Sequence, residues 1–383
     1  MSKQCKFTYN SFFYNKGNVA HCCMQQSVLE KTTWADVQDL NQFHSNCDSL
    51  LDIRRSLDSG IEHPACQSCW ADESQYATSM RTHNMYYDNA AISNGIRHVD
   101  LRLSNKCNLQ CKMCNPYDSD QLANLSLELS ANGVANPLQH MMTANVDIDN
   151  RELLNLVLKL PDLETIRFAG GEPFIMPEVE EFLHTLVELD RTQLSVEFIT
   201  NCTTIKPNVL ALLEQFKRVD IICSIDGIED TLEYQRYPAK WHIIENNFKK
   251  LYRSNLNSVI VAPCIGLLNY STLDKLFEWL GDFPDAAIGY NEIYEPSFLN
   301  FRYIPLHVRE QFYERFSAIT LKNVDPKWHQ FQKHTMYEYV EPTQEDCNML
   351  YRYSQSVWDH RGKHKFLDLY PWAEYMIAKA VKQ

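Results

Sequence analysis

Short apolar segments recur along the chain, and longer segments with helical spacing separate them. Alternating or continuously apolar residues predict six strands, at residues 98–103, 163–168, 194–199, 219–223, 258–264 and 287–293. Between them, apolar residues return every three or four positions, as in Val179, Phe182, Leu183 and Leu186 after Pro177. Strands that alternate with helices in this way predict an α/β fold with parallel strands.

Three further segments lie between or beyond these repeats. Residues 53–57 read as a short amphipathic helix, and residues 305–321 read as a longer one. Residues 119–150 are polar and carry Asn-Gly and Asn-Pro pairs, so we expect an irregular insertion there.

Composition narrows the class of protein. The 383 residues allow one large domain or two moderate ones, and 45% of them are hydrophobic, as in ordinary globular proteins. A formal net charge of −13 disfavours a broad phosphate-tracking surface, so no nucleic-acid partner is expected. The sequence shows no secretory signal and no run of about 18 apolar residues, so we expect a cytoplasmic protein without a membrane span. The 13 cysteines are clustered, which in this setting suggests metal binding over disulfides.

The densest cysteine cluster directly follows the first predicted barrel-type strand. Cys107, Cys111 and Cys114 have the spacing C-x3-C-x2-C. Carboxyl ends of parallel strands are where α/β barrels place their chemistry. Three thiolates are one fewer than a four-iron cluster takes, which would leave one iron open to a small molecule. The alternative is a zinc knuckle, but zinc sites usually pair cysteines as C-x2-C and use four ligands.

This cysteine loop resembles that of the radical S-adenosylmethionine (SAM) superfamily, whose signature is C-x3-C-x2-C after the first barrel strand. The resemblance implies a partial (β/α)6 barrel, which we place at residues 96–300. It also implies a [4Fe-4S] cluster on Cys107, Cys111 and Cys114, with SAM on the open iron. In the family, an electron from the cluster splits SAM into methionine and a 5′-deoxyadenosyl radical.

The same resemblance implies which residues hold SAM. The motif Gly170-Gly171-Glu172-Pro173 follows the second strand and would bind the amino group of methionine. The remaining candidates are the Met113 backbone near adenine, Asn201 along the SAM edge, Ser224 and Asp226 at the ribose, and Arg236 at the carboxylate. The alternatives are turn capping for Asn201, Ser224 and Asp226, and an ordinary surface position for Arg236.

The first hundred residues carry a second cysteine set. An early Cys5, a Gly-x-Val-x-x-Cys-Cys segment at 17–23 and Cys66-x-x-Cys69-Trp70 are followed by Glu73 and Ser79-x-Arg81. Two distant cysteine groups can close one four-thiolate site. The block resembles the N-terminal twitch (SPASM-like) module of one radical SAM subfamily, here at residues 1–95. It implies an auxiliary [4Fe-4S] cluster on Cys5, Cys22, Cys66 and Cys69, with Cys23 as an alternative to Cys22. A structural zinc site is the other interpretation.

These resemblances together predict an enzyme. We expect a radical SAM enzyme that removes hydrogen from a substrate, with a peptide as the first expectation because twitch and SPASM relatives often modify peptides. A sugar, a nucleotide or another small metabolite is the alternative substrate. A non-catalytic zinc-binding protein on the same scaffold is the alternative of another class. The expected partner is a reductant such as flavodoxin or ferredoxin, and residues 301–383 are expected to form a helical extension that packs on the barrel.

Overall fold

The computed structural model describes residues 4–25, 30–31, 34–76, 79–82, 95–132, 148–319, 338–355 and 365–380. The strands in these ranges are β1 (Ser11–Asn15), β2 (Asn18–Ala20), β3 (Glu30–Lys31), β4 (His98–Arg102), β5 (Thr165–Phe168), β6 (Ser195–Thr200), β7 (Arg218–Cys223), β8 (Ser258–Val261), β9 (Cys264–Ile265), β10 (Ala287–Ile288) and β11 (Asn291–Glu292). The helices are α1 (Phe7–Asn10), α2 (Leu40–Asn46), α3 (Asp48–Asp58), α4 (Gln67–Tyr76), α5 (Asp120–Ala131), α6 (Arg151–Leu158), α7 (Pro177–Glu188), α8 (Pro207–Leu213), α9 (Glu229–Gln235), α10 (Trp241–Arg253), α11 (Leu273–Leu280), α12 (Leu306–Ser317), α13 (Gln344–Tyr353), α14 (Phe366–Leu369) and α15 (Glu374–Lys379).

The chain divides into two compact units, each made of several chain segments. The first unit comprises residues 1–105, 146–198 and 211–219. The second unit comprises residues 106–145, 199–210 and 220–383. In both units, parallel strands alternate with helices along the chain, so the predicted α/β class is confirmed.

The first unit is built on a sheet in the order β6-β5-β4-β1-β2-β3. The strands β6, β5, β4 and β1 are parallel, whereas β2 and β3 are antiparallel to their neighbours. One face is apolar and buried, and there Phe168 makes an edge contact with Phe182 of α7 at 6.0 Å. The other face carries Asp100, Arg167 and Glu197 side by side in register. This face of the sheet is therefore polar, unlike a face that packs into an apolar core.

A small separate core lies beneath the N-terminal cysteines of the first unit. Leu50, Ile53 and Leu57 are buried on one side of α3. They pack with Cys5 and Cys66, among others. The predicted amphipathic helix at 53–57 is therefore confirmed as part of α3, and its apolar face supports the segments that carry two predicted ligands.

The second unit contains the parallel strands β7, β8 and β10, and separately the parallel pair β9 and β11. Its C-terminal helices form a core with α5, and representative buried members are Leu125, Leu129, Leu350, Tyr353 and Met376. The predicted helical C-terminal region is confirmed. Within the described residues, no helix has both the length and the apolar character that a membrane crossing requires.

All six predicted barrel strands are present, but the last two are interrupted. The predicted strand 258–264 ends as β8 at Val261, because Pro263 has no N–H to continue the ladder. The predicted strand 287–293 breaks at Gly289 into β10 and β11. The predicted helix at 305–321 is α12, Leu306–Ser317.

The expected irregular insertion at residues 119–150 is wrong in its first part. Residues 120–131 form α5, which Ser119 begins by accepting a hydrogen bond from the Leu122 N–H at 3.3 Å. Residues 133–147 lie outside the described residues. The boundaries at residues 95 and 300, and closure of a barrel, stay predictions.

Candidate functional site

The loop that carries Cys107, Cys111 and Cys114 is fixed by hydrogen bonds inside the second unit. The N–H groups on both sides of Cys111 donate to the end of α9 and the residues after it: Gln110 to the Tyr237 carbonyl at 2.6 Å, and Lys112 to the Gln235 carbonyl at 2.8 Å. Both flanks of the central cysteine are therefore held by a single segment of the chain.

The start of α5 holds the other end of this loop. The Cys107 N–H donates to the Asp120 carboxylate at 2.9 Å. The Ser119 hydroxyl donates to the Leu109 carbonyl at 2.8 Å. The Cys114 N–H closes a turn on the Cys111 carbonyl at 3.0 Å. These hydrogen bonds therefore constrain the loop that carries the three thiols.

The three thiols lie close enough to influence one another electrostatically. Burial raises the pKa of Cys111 to about 12, and the neighbouring Cys107 adds to that rise. Burial also raises the pKa of Cys114 well above its usual value, with Asp118, Cys111 and Cys107 adding to the rise. Three such thiolates repel one another unless positive charge lies between them. A thiolate donor set of this kind fits an iron–sulfur cluster.

Two residues predicted to hold SAM are paired with each other. The Arg236 Nε donates to Asp226 Oδ2 at 2.6 Å, with 7% and 0% of the two side chains exposed. Asp226 Oδ1 accepts the Cys264 N–H at 2.7 Å. The Arg236 Nη1 lies 3.9 Å from the Cys111 sulfur, a contact that favours the thiolate. The ion pair thus contacts the cysteine loop through Arg236 and holds the backbone of Cys264 through Asp226.

Asn201 also contacts the cysteine loop. Its Nδ2 donates to Asn108 Oδ1 at 2.9 Å, while its Oδ1 accepts the Thr203 N–H at 2.9 Å. Asn201 thus caps its own turn and also contacts the loop, and its role as a SAM ligand stays a prediction. Ser224 is half-buried after β7, and its N–H donates to the Thr200 carbonyl at 2.8 Å. Met113 is half-buried against the core of the second unit.

The Gly170-Gly171-Glu172 turn lies in the first unit. Both glycines have positive φ, +72° and +53°, which favours glycine. A Cβ added to Gly170 would lie 2.9 Å from the Cβ of Arg102. Glu172 is fully buried, and its Oε1 accepts the Phe174 N–H at 3.2 Å, which begins the short turn Pro173–Ile175. Glycine is therefore required at position 170 by both conformation and space.

The four predicted auxiliary ligands line one cavity within the first unit, together with residues such as Phe7, His21 and Met80. Burial raises the pKa of Cys5 to about 12, and Cys66 and Cys69 add to the rise. Burial raises the pKa of Cys66 to about 11, with Cys69 adding to the rise. In the described part of the chain, no three His, Cys, Asp or Glu side chains converge on the position of a single metal ion.

The two adjacent cysteines at 22 and 23 have different surroundings. Cys22 interacts with Cys5 and Cys69, whose charges add to the burial that raises its pKa. Cys23 instead interacts with Asp100, Arg167 and Arg102, on the polar face of the sheet. Of the two cysteines, Cys22 is the one that joins the other thiols of the cavity. A donor set of four thiols fits an iron–sulfur cluster.

Comparison with known proteins agrees with the cysteine loop. Residues 101–280 match the model of the Radical SAM superfamily. This span is similar to a radical SAM domain. It contains Cys107, Cys111 and Cys114, the glycine turn and every other predicted SAM-binding residue, whereas the auxiliary cysteines precede it.

The relative and the solved structures that this chain resembles are distant. Over 211 residues, the chain is 25% identical to the radical SAM cyclopropyl synthase TigE of Paramaledivibacter caminithermalis, covering 51% of this chain and 40% of that protein. The chain thus spans less than half of this curated relative. Streptococcus suis SuiB bound to precursor peptide SuiA is 12% identical, with TM-score 0.41 over 82% of this chain and 70% of that one. Native anSMEcpe with bound AdoMet is 14% identical, with TM-score 0.38 over 60% and 63% of the two chains.

Sequence reasoning missed one residue within the matched span. Cys264, at the start of β9, interacts electrostatically with Cys111. Like Met113 and Cys114, it packs against the core of the second unit, and burial raises its pKa to about 12. A lone cysteine far along the chain gives no signal of its own. The hydrogen bond from its N–H to Asp226 connects it to the residues around the cysteine loop.

Proposed function

We propose that this chain is a radical SAM enzyme whose catalytic cluster is bound by Cys107, Cys111 and Cys114. The observation that carries the proposal is the position of these thiols. All three lie on one hydrogen-bonded loop inside the span that matches the superfamily. The charge of Cys107 raises the pKa of Cys111, and the charges of Cys107 and Cys111 raise the pKa of Cys114. When bound, the [4Fe-4S] cluster and SAM supply the electron and the 5′-deoxyadenosyl radical that removes hydrogen from the substrate.

The chain's own residues would hold this loop and bind SAM. The segment at the end of α9 holds both flanks of Cys111, and Arg236 places positive charge near the sulfur. Gly170 and Gly171 provide the tight turn at which methionine would approach the backbone. Asn201 and Ser224 are proposed on the nucleoside side. Asp226 and Arg236 are proposed to act mainly through Cys111, because each already has the other as its partner.

We further propose an auxiliary [4Fe-4S] cluster on Cys5, Cys22, Cys66 and Cys69. The support is the shared cavity and the mutual influence of the four thiols. The proposed substrate is a peptide, on the resemblance to the twitch and SPASM subfamily; a sugar, nucleotide or small metabolite is the second candidate. Mass spectrometry of a peptide from a neighbouring gene, co-expressed with the enzyme, would show a changed mass if the peptide is the substrate.

The decisive experiment compares two cysteines of the same region. Wild-type protein, Cys111→Ala and Cys264→Ala are reconstituted anaerobically with iron and sulfide, and 5′-deoxyadenosine is measured after addition of SAM and dithionite. Cys111→Ala should abolish SAM cleavage, whereas Cys264→Ala should retain it. Loss of cleavage together with a comparable loss of cluster iron in Cys264→Ala would indicate a fourth protein ligand, and the proposed open iron would be wrong.

A second comparison separates the two clusters and tests the zinc alternative. Cys66→Ala should lose about half of the iron and retain some SAM cleavage, because its site is independent of the catalytic loop. Equal loss of all iron in Cys66→Ala and Cys111→Ala would contradict two sites. Colourless protein with stoichiometric zinc would support the non-catalytic zinc-binding alternative.

A further inference from the structure

A cavity in the first unit opens on the polar face of the sheet. Residues of β1, β4, β5 and β6 line it, and its members include Asp100, Arg167, Glu197, Phe13 and Met80. Apolar walls with a few polar groups are the usual form of a binding site for an organic ligand. The polar members therefore decide which chemistry this cavity can recognise.

Two of the charged side chains on this face are explained by each other. Arg167 Nε lies 2.6 Å from Glu197 Oε1, and 17% and 4% of the two side chains are exposed. A charge inside a protein is tolerated when an opposite charge and hydrogen bonds compensate for lost hydration. The Arg167–Glu197 ion pair therefore needs no ligand.

Asp100 has no such partner at hydrogen-bond distance. Its Oδ1 lies 4.0 Å from Arg102 Nε and its Oδ2 lies 3.9 Å from Arg167 Nη1, which is too long for a hydrogen bond. In the described part of the chain, the side chains of Asp100 and Arg102 make no hydrogen bond, although buried polar groups usually have one. With 17% of Asp100 and 28% of Arg102 exposed, both side chains can still reach a ligand.

Arg102 is held at the cavity by two contacts within the first unit. Its guanidinium lies over the ring of Phe13, a member of the cavity wall, at 5.0 Å. Its Cβ occupies the space beside Gly170, where an added Cβ would lie 2.9 Å away. Asp100 and Arg102 are two positions apart in β4, so they lie on the same face. The pair thus connects the cavity wall with the turn proposed to bind methionine.

We propose that Asp100 and Arg102 bind an uncharged amide group of the substrate, with an adjacent apolar group against Phe13 and Met80. This proposal rests on the proposed function, since it names the polar group by which the enzyme holds its substrate. An amide N–H donates and an amide carbonyl accepts. One amide therefore satisfies the carboxylate of Asp100 and the guanidinium of Arg102 together.

Charge balance favours an amide over an ion. The face carries two carboxylates, on Asp100 and Glu197, and two guanidiniums, on Arg102 and Arg167, so their formal charges cancel. A ligand ammonium near Asp100 is repelled by Arg102, and a ligand carboxylate near Arg102 is repelled by Asp100. An amide offers both a donor and an acceptor without net charge.

The test compares four matched ligands. Phenylacetamide has both halves of the amide, N,N-dimethylphenylacetamide keeps only the carbonyl, phenylacetate is an anion and phenethylamine is a cation. Each is titrated into the anaerobically reconstituted protein, and binding is measured by saturation-transfer nuclear magnetic resonance. Phenylacetamide should bind at least about tenfold more tightly than the other three, because a hydrogen bond to a charged group contributes that much.

Two variants assign the two halves of the amide. Asp100→Ala should abolish the difference between phenylacetamide and its dimethyl derivative, because the acceptor for the N–H is lost. Arg102→Gln should weaken binding of both compounds, because both use the carbonyl. Asp149→Ala is the matched control, since 58% of the Asp149 side chain is exposed, and it should keep the wild-type preference.

Formation of 5′-deoxyadenosine from SAM is measured in the same samples, so the two proposals fail separately. Equal binding of phenylacetamide and its dimethyl derivative by the wild-type protein would overturn the amide site, as would tighter binding of either ion. Weaker SAM binding with unchanged amide binding in Arg102→Gln would overturn it too and assign Arg102 to SAM. Absence of SAM cleavage in the wild-type protein would overturn the proposed function alone. If Asp100→Ala does not fold, the ligand series on the wild-type protein decides.

Discussion

At the scale of single residues, the pairing of Asp226 with Arg236 changes how both residues are understood. The sequence suggests that Asp226 binds the ribose of SAM and that Arg236 binds its carboxylate. The structure shows a buried ion pair whose carboxylate also holds the backbone of Cys264. A charge inside a protein is tolerated when a partner and hydrogen bonds compensate for lost hydration. Because Asp226 and Arg236 lie ten positions apart on either side of α9, no local pattern identifies them as partners.

Asp226→Asn should therefore destabilise the protein directly. It leaves the Arg236 guanidinium buried without its charge partner, which typically costs about 3–5 kcal/mol. Urea unfolding of the metal-free protein would measure the loss, and Asp226→Asn combined with Arg236→Gln should recover part of it. The exposed Arg151→Gln serves as control and should leave the urea midpoint unchanged. An unchanged midpoint in Asp226→Asn, together with lost SAM binding, would instead assign Asp226 to the ligand.

At the scale of elements, the turn after β5 depends on glycine for two reasons. Gly170 has φ +72° and has Arg102 directly beside the position of a Cβ. Gly60, after α3, has φ +75° and nothing within 4 Å of a Cβ. Gly60→Ala should cost about 1–2 kcal/mol from backbone strain alone. Gly170→Ala should cost more, because Arg102 must also move, and chemical denaturation of both variants measures the difference. Equal losses would show that Arg102 moves aside without cost.

Element boundaries show which parts of the fold the sequence can specify. Alternating or continuously apolar segments located all six predicted strands, because burial of one or both faces leaves such a pattern in the sequence. Pro263 and Gly289 lie where the last two strands are interrupted. Both residues have low strand propensity, so the sequence already indicated these breaks. Helix α5 was missed although Leu122, Leu125 and Leu129 keep helical spacing after Ser119.

The N-terminal strands were less accessible to prediction. β1 pairs in parallel with β4, and the partner lies far along the chain. The same limit applies to the candidate site. Spacing identified the cysteine loop, whereas Cys264 and the Asp226–Arg236 pair depend on contacts that no short window contains.

At the scale of the whole molecule, buried histidines predict how stability depends on pH. Burial lowers the pKa of His44 to about 3 and that of His21 to about 4. Arg54 Nη2 lies 3.3 Å from His44 Nδ1, and a guanidinium only donates, so that nitrogen must accept. The folded protein thus keeps both rings neutral at pH values where the unfolded chain protonates them.

The free energy of unfolding should therefore fall as pH decreases below about 6.5, the pKa of histidine in the unfolded chain. Above that pH the two histidines should not change it. Each buried histidine contributes up to about 1.4 kcal/mol per pH unit between that value and its folded pKa. His44→Gln should reduce the slope of the urea midpoint against pH between 6.5 and 4.5. The exposed His242→Gln should keep the wild-type slope. An unchanged slope in His44→Gln would contradict the neutral, buried ring.

The predicted boundary at residue 95 can be tested by expression of residues 1–95 alone. This fragment contains the proposed auxiliary cysteines but lacks β4, which pairs with β1 over five residue pairs. An unpaired strand leaves backbone hydrogen-bonding groups unsatisfied. We expect the metal-free fragment to show no cooperative thermal transition by circular dichroism, whereas residues 1–200 should show one. A sharp transition in the short fragment would support an autonomous module.

The hydrogen bonds from Gln110 and Lys112 to the segment after α9 have a consequence for biogenesis. Because backbone groups of another segment hold both flanks of Cys111, assembly of a cluster on this loop depends on that segment as well as on the cysteines. Substitutions that displace the end of α9 should therefore slow maturation of the protein, although they remove no sulfur.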